Sequence, residues 1–567
     1  MKQNLLNGIV RWNGAAQPRR HEDEHFQNEW LDLTVQRISL FDFDEQHICF
    51  DAETQTLCAV LGYVANLDDI AQRHGLIEKN DVEIVARLYA LRGIQGLTEC
   101  DGVFFIVLCD EPARMIYLAQ SEWGMSLPLY YATDSRGVYF STSLKRLLQH
   151  APQPRRLNDE AVKQFLQFEH IIPNAATLLQ GVQKLLPHAY LQIDWERRSV
   201  AVKPLDFPAR SVSMTEAKQE LLPSIEASLR HLASHLRNQE FVTTFTSGWD
   251  TNVMLFTLWA MTDAPMTAVT IDGGNATNEL PVTRRILESY SRVRHVTSSI
   301  QPNIIDALPN MVWLLEGAVY ENGMFLRYEL ANVFARHGLN AVFLGACADQ
   351  VMHPETIFKR LARRLPDVAA KDWLIAAAQR GKDRLLKSER WEERELRRKI
   401  TQLSLSVYSS SVAYHVDIEF LLKMHGLIFN GFGVQGVFPF LNRDTAAYGK
   451  ALGMANRQKA WYKAKIREKL PPAITQHFQK SGAVVDAPGL VAANQATLLR
   501  VLNTPFLRRL LPESARCAME RHPLIYYKLL LQSAYLFLFH ELFVSGRFDD
   551  QFHRPQIEYS LRQMLEL

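Results

Sequence analysis

The apolar pattern of this chain changes period once, near Pro208, and that change demands two folding units of different class. From Ile48 to about Val202, short alternating or continuous apolar runs (TLCAVLGYVANL, GVFFIVLCD, RMIYLAQ, LPLYYATDSRGVYFSTS, AYLQIDWERRSVAV) are separated by turn signals, so several strands with few helices are implied. Two helical stretches interrupt them, NDVEIVARLYALRG and NDEAVKQFLQFEH, with Asn80 and Asn158 as their N-caps. APQPRR before the second cap reads as a surface connection, and KPLDFPARSVS as the break between units. Beyond it comes an amphipathic helix, MTEAKQELLPSIEASLRHLASHLR, and then a repeated strand-then-helix theme. EFVTTFTSGWDTNVMLFTLWAM, MTAVTIDGG with NELPVTRRILESYS, RHVTSS, and LNAVFLGACADQ carry it. Such alternation requires βαβ crossovers and a parallel sheet, which holds ligands at the carboxyl ends of its strands. The expected class is α/β: a strand-rich α+β unit over residues 1–207, then a parallel-sheet unit over residues 208–567 with a helical C-terminal part.

Length agrees, since 567 residues exceed the roughly 250–300 at which a single core stops growing. With 47% hydrophobic and 22% charged residues the chain is globular rather than disordered. Lys plus Arg total 63 and Asp plus Glu 61, so no overall field would attract nucleic acid or an anionic membrane. The Arg- and Lys-rich residues 356–400 read first as a solvated face laced with i,i+4 pairs. The six cysteines include no C-x-x-C pair, so neither a zinc site nor a dense disulfide framework is suggested, and a reducing cytoplasm fits best. MKQNLLNGIVRWNGAAQPRR has no secretory apolar core, and no run reaches about 18 uncharged apolar residues. PLIYYKLLLQSAYLFLFHELF comes nearest, but Lys528, Gln532, His540 and Glu541 mark it as a buried helix rather than a membrane insertion.

Thr246-Ser247-Gly248-Trp249-Asp250-Thr251 is the strongest chemical signal. Small hydroxyl residues and a glycine at a strand-to-helix turn leave backbone N–H groups available to phosphate oxygens. Asp250 is placed to ligate a magnesium ion held by those phosphates. The GK[ST] ending of a Walker loop is absent. About a hundred residues later AVFLGACADQVM repeats the geometry and brings Asp349 to the same sheet edge. Two carboxylates from two strand ends suit Mg2+ on a triphosphate.

At this point the chain resembles the asparagine synthetase-like family of ATP pyrophosphatases, whose loop reads S-G-G-x-D-S. The resemblance places Thr246, Ser247, Gly248, Asp250 and Thr251 on that loop, and Gly345-Ala346-Cys347-Ala348-Asp349 on the family's G-x-G-x-D. It implies ATP and Mg2+ as cofactors, with Asp250 and Asp349 on the metal. Ser247 and Cys347 replace glycines, so the backbone is expected to approach a nucleotide less closely. Ala346 stands where asparagine synthetase has Glu and β-lactam synthetases have Tyr. Lys463-Ala464-Lys465-Ile466-Arg467, then LPPAITQHFQKSG, are similar to the family's K-x-x-L-R helix and R-x-K-x-G segment. Lys480 thereby falls on the lysine that lies over the phosphates, Lys463 is a second candidate, and Phe438 to Thr445 resemble the stretch beneath the active site.

The first unit resembles the class II glutamine amidotransferase domain, an α+β sandwich, through LGYVANLDD, NDVEIVARLY, ECDGVFFIVLCD, LPLYY and VYFSTSLKRLL. That domain works with an N-terminal cysteine nucleophile. Here the first cysteine is Cys49, and Ala119, Gln120 and Ser121 replace the family's Arg-Asp pair. Glutamine hydrolysis is therefore not expected, the domain is left as a structural or docking platform, and nitrogen comes from the substrate's own amine. Relatives of that kind are β-lactam synthetases and lasso-peptide cyclases, and the resemblance favours the latter: a macrolactam synthetase that adenylates an Asp or Glu side chain of a precursor core peptide and joins it to the peptide's N-terminal amine. A leader-peptide protease is the implied partner. The rival enzyme is a ligase for a small acid and free ammonia, and the rival of another class is a non-catalytic scaffold.

Overall fold

The computed structural model describes residues 2–566 except 14–19, 23, 152–154, 169–171, 173, 238–239, 275–278, 353–410, 454–455, 457–458 and 479–484. The basic stretch 356–400 and Lys480 lie outside the described residues.

The strand-rich half builds two antiparallel sheets. A seven-stranded sheet runs in the order Gln183–Lys184, Tyr130–Thr133, Gly137–Ser141, Leu5–Arg11, Leu31–Gln36, His25–Gln27, Arg20–Glu22. A six-stranded sheet runs Ser199–Pro204, Ala189–Asp194, Met115–Gln120, Gly102–Asp110, Thr56–Val64, Ile48–Asp51. Leu5–Arg11 and Leu31–Gln36 alternate between buried and partly exposed, as expected of strands with one covered face. Thr56–Val64 is buried at every position, packed by both the helix Asp81–Arg92 and the strand Leu31–Gln36 of the other sheet. Asn80 caps that helix by accepting the Glu83 N–H at 3.0 Å, and Asn158 does the same for Ala161 at 3.2 Å.

The last of these strands ends at Pro204, and the helix Met214–Ser234 follows. The second half is organised on a five-stranded parallel sheet in the order Val293–Ser299, Met266–Asp272, Phe241–Thr244, Ala341–Phe343, Gln435–Val437. In chain order these are strands three, two, one, four and five, so connectivity reverses direction between Phe241–Thr244 and Ala341–Phe343. That reversal opens a crevice beyond the carboxyl ends of the two neighbours, and both Asp-bearing motifs follow directly from them.

Helices complete this half. Tyr527–Phe539 is buried throughout Leu530–Phe539 and continues into a π-turn over His540–Val544, so the longest apolar run is a core helix. No helix among the described residues is long and apolar enough to cross a membrane.

The halves are joined by side chains that satisfy buried backbone. Arg443 donates its backbone N–H to Asp101 (2.9 Å), its Nε to Glu122 (2.9 Å), and its Nη atoms to the carbonyls of Thr98 (2.5 Å) and Cys100 (2.7 Å). Tyr63 Oη accepts the Phe438 N–H at 3.0 Å. Glu316 accepts from Ser143 Oγ (2.8 Å) and the Leu144 N–H (2.6 Å) and pairs with the buried Lys145 ammonium at 2.9 Å, closing the N-terminus of the helix Leu144–His150.

Candidate active site

The turn after Phe241–Thr244 is held by its own side chains. Thr251 Oγ1 donates toward the Thr246 carbonyl (3.1 Å) and accepts the Thr246 N–H (3.3 Å), while Asn252 Nδ2 donates to the carbonyls of Thr246 (3.1 Å) and Gly248 (2.7 Å). With Gly248 as N-cap, the helix Trp249–Met261 begins at the lip of the crevice. The Gly248 N–H donates to Thr246 Oγ1 at 3.1 Å, and the Ser247 N–H donates to the Glu279 carboxylate at 2.9 Å. Ser247 does not adopt positive φ, so a side chain at that glycine position costs no backbone strain.

The second motif tells a different story. Cys347 has φ of +69°, the left-handed conformation that a glycine would take freely. A buried cysteine there costs about 1–2 kcal/mol of backbone strain. Gly345 allows the two loops to meet: a Cβ at that position would sit 3.1 Å from Thr251 Cγ2 and 3.7 Å from Asp250 Cβ. Asp349 lies in the first turn of the short helix Ala348–Met352.

The two aspartates converge on one cation. Lys459 Nζ is 2.5 Å from Asp250 Oδ2 and 2.6 Å from Asp349 Oδ1. Asp250 is largely buried, whereas the Asp349 side chain is 74% exposed, so the cluster opens to solvent on the Asp349 side. Burial pushes the Asp250 carboxyl up, the Lys459 charge pulls it back, and the neighbouring Asp349 carboxylate pushes it up again. Burial opposes the Lys459 ammonium, but the two carboxylates outweigh it and raise its pKa. Asp250 Oδ1 and Ser247 Oγ are buried without a hydrogen-bond partner among the described residues. Two carboxylates from two strand ends, already gathered on a positive charge and with oxygen valence to spare, form a hard donor set that fits Mg2+.

Lys459 immediately precedes the helix Ala460–Lys469, and Lys463 and Arg467 follow at intervals of four on the same face. Lys463 Nζ lies 5.9 Å and the Arg467 guanidinium 4.7 Å from the centre of the Trp249 ring, against which Phe478 packs perpendicular with ring centres 5.0 Å apart. Burial and the charge of Lys459 hold the Lys463 pKa below its ordinary value. Asn456 ties this cationic face to the second motif: its amide donates to the Met352 carbonyl and its oxygen accepts the Tyr462 N–H, each at 3.1 Å.

Thr246, Ser247, Gly248, Asp250 and Thr251 thus lie on one turn that meets the second motif, through Gly345 against Thr251 and through Lys459 between Asp250 and Asp349, and Lys463 lies over the Trp249 ring of the same turn. Lys459 and Glu279 were not singled out from the sequence. For Lys459 the signal was present, because extending the four-residue spacing of Lys463 and Arg467 back by one step reaches it. For Glu279 nothing local announces a contact 32 residues away.

A family model described as "Glutamine amidotransferase domain" matches residues 13–203, and one described as "Asparagine synthase" matches residues 227–448. Among curated proteins the chain is similar to asparagine synthetase [glutamine-hydrolyzing] 1 of Bacillus subtilis, 23% identical over 177 residues, 30% of this chain and 28% of the relative. It is 24% identical over 160 residues to asparagine synthetase [glutamine-hydrolyzing] 2 of the same organism, 27% of this chain and 21% of the relative. It is 22% identical over 224 residues to a putative asparagine synthetase [glutamine-hydrolyzing] 2 of Methanocaldococcus jannaschii, 35% of this chain and 43% of the relative. The matched region therefore spans less than half the length of each. Among solved structures, glutamine phosphoribosylpyrophosphate amidotransferase from B. subtilis aligns at 11% identity over 54% of this chain and 77% of its own, with a TM-score of 0.26, too low to bear on the fold.

Proposed function

This chain belongs to the asparagine synthetase-like family, and on that footing we propose that it is an ATP-dependent amide-forming ligase of the macrolactam synthetase type. It activates an Asp or Glu side-chain carboxyl of a precursor peptide as the acyl-adenylate, releases pyrophosphate, and transfers the acyl group to that peptide's own N-terminal amine, with loss of AMP. The observation that carries the reading is the convergence of Asp250 and Asp349 on one cation, Lys459, at the switch point of the parallel sheet.

In this reading the turn Thr246–Thr251 offers backbone N–H groups and hydroxyls to the phosphates. Asp250 and Asp349 are the residues that would hold Mg2+, which supplies charge neutralisation on the triphosphate. Lys463 and Arg467 add positive charge on one side of the crevice, and Lys480 is a further candidate to stabilise the departing pyrophosphate and the developing oxyanion. Holding the peptide's amine beside the activated carboxyl replaces an encounter in solution by an intramolecular step.

The choice of a substrate amine over glutamine is supported by the cysteines of the first half. Burial pushes the Cys49 thiol up to about 11 and the Cys100 thiol up to about 12, and it raises Cys58 as well. Thiols so disfavoured as thiolates are poor nucleophiles. A cytoplasmic setting and a leader-removing protease as pathway partner accompany the proposal.

Incubation of the purified chain with ATP, Mg2+ and a leader-free peptide tests it. AMP, pyrophosphate and a product lighter by one water are expected, and Asp250→Ala abolishes AMP release without loss of fold. AMP release that needs a small acid and ammonia instead of a peptide would replace this reading by the asparagine synthetase-like one. Absence of any ATP–Mg2+ binding by calorimetry would support a scaffold.

A further inference from the structure

A second cluster of ligating side chains lies outside the crevice, where the helix Met214–Ser234 ends against the first half of the chain. His231 and His235 stand one turn apart at that helix end, the i,i+4 spacing that presents two imidazoles on one face. Opposite them the helix Leu67–His74 opens with Asp68 and Asp69. One ligand atom from each of Asp68, His231 and His235 lies within 4.8 Å of the others.

Three features distinguish this group from chance proximity of surface side chains. Backbone pairing fixes its position: Phe41 bridges Leu236, the Asp42 N–H donates to the His235 carbonyl at 3.0 Å, and the Arg237 N–H donates to the Leu40 carbonyl at 3.0 Å. The His235 imidazole is oriented by a hydrogen bond from Nδ1 to Asp42 Oδ1 at 2.9 Å, and the His231 ring packs edge-on against it with ring centres 4.7 Å apart. Such a bond is how a ligating histidine is set, one nitrogen tied to a carboxylate or carbonyl and the other turned to the ion. Finally, His235 Nε2 and Asp68 Oδ2 are 3.5 Å apart, beyond a good hydrogen bond. It matches the edge of about 3.4 Å that a tetrahedron with zinc-like bonds of about 2.1 Å requires.

The surroundings favour a cation. Asp42, Asp68 and Asp69 face the histidines from the first half, while the nearby Arg237 is turned to Glu45 at 3.0 Å and Asp44 at 3.7 Å. Two imidazoles and one carboxylate select a borderline ion over the hard ions that take oxygen alone.

We propose that Asp68, His231 and His235 form a Zn2+-type site that clamps the second half of the chain to the first, independent of the nucleotide crevice.

The test uses the full chain, stripped with chelator and free of nucleotide. Titration with Zn2+ by calorimetry, and with Co2+ followed by the visible absorption of tetrahedral cobalt, is expected to give one tight site per chain and a raised Tm. Asp68→Asn, at a side chain 75% exposed and therefore harmless to folding, lowers the affinity at least tenfold and removes most of the Tm rise. His231→Gln does the same, and Asp263→Asn, an exposed acid elsewhere, changes nothing. No tight site in the parent chain, or a site that Asp68→Asn leaves intact, overturns the proposal.

Discussion

The Glu279 carboxylate accepts the backbone N–H of Ser247 at 2.9 Å, so an anion already sits on the turn where a phosphate group would bind. One backbone N–H of the turn is thus taken up by a carboxylate, which would compete with the phosphates of the proposed ATP site. Glu279→Gln keeps an acceptor for that N–H and removes the charge. The expected result is ATP–Mg2+ binding about three- to tenfold tighter by calorimetry, equivalent to about 1 kcal/mol.

Lys459 neutralises two carboxylates, one of them largely buried. Lys459→Met leaves Asp250 without its partner, and breaking a buried pair in this way costs about 3 kcal/mol. Because Mg2+ suits the same oxygens, saturating ATP–Mg2+ should restore most of the lost stability. Urea denaturation with and without nucleotide reads both effects, and an equal loss in the two conditions would sink the idea.

Acid should destabilise the fold through His425. Burial first, and then the Arg327 charge, hold its pKa down at about 3 against an ordinary 6.5. Between those values the unfolded chain binds a proton that the folded chain refuses. Stability therefore rises with pH across that window, with a slope from this group approaching about 1.4 kcal/mol per pH unit. His425→Gln flattens that slope in urea melts between pH 4 and pH 6.5, roughly the window in question.

Glu316 closes the joint between the halves, where Lys145 is nine-tenths buried. Glu316→Ala removes the counter-charge of that ammonium, leaving it only the Trp313 carbonyl at 2.8 Å and the Trp313 ring, and uncaps Ser143 and the Leu144 N–H, a loss of about 3 kcal/mol. Lys145→Met in the same chain should recover part of it, since an apolar pair tolerates burial. A melt of the two variants checks the order.

Much of this arrangement could be read in advance, for reasons that differ by residue. Period-two and strand-then-helix patterns are local, so the antiparallel strands from Ile48 onward, four of the five parallel strands and the caps at Asn80 and Asn158 were legible, whereas the four strands before Ile48 and Gln435–Val437 were not. Asp250 and Asp349 were legible because each follows its own strand, and adjacency of the strands did the rest. Glu279 was not, since its role depends on a contact 32 residues away, and Lys459 only in part: its spacing sets it with Lys463 and Arg467, but its pairing with Asp250 lies 209 residues away. The strain at Cys347 was half legible: a missing glycine showed in the sequence, but only the backbone reveals that this position, unlike Ser247, needed one.

The joint at Arg443 reaches further than its hydrogen bonds suggest. The helix it opens, Arg443–Leu452, carries Gly449, where an added Cβ would lie 2.3 Å from the Val351 carbonyl, within the short helix that bears Asp349. Asp101 and Glu122 of the first half thus hold one end of a strut whose other side abuts the backbone of the short helix that carries Asp349. A lineage in which the first half lost all chemistry of its own would still have to inherit its backbone, because excising it would leave the strut without an anchor.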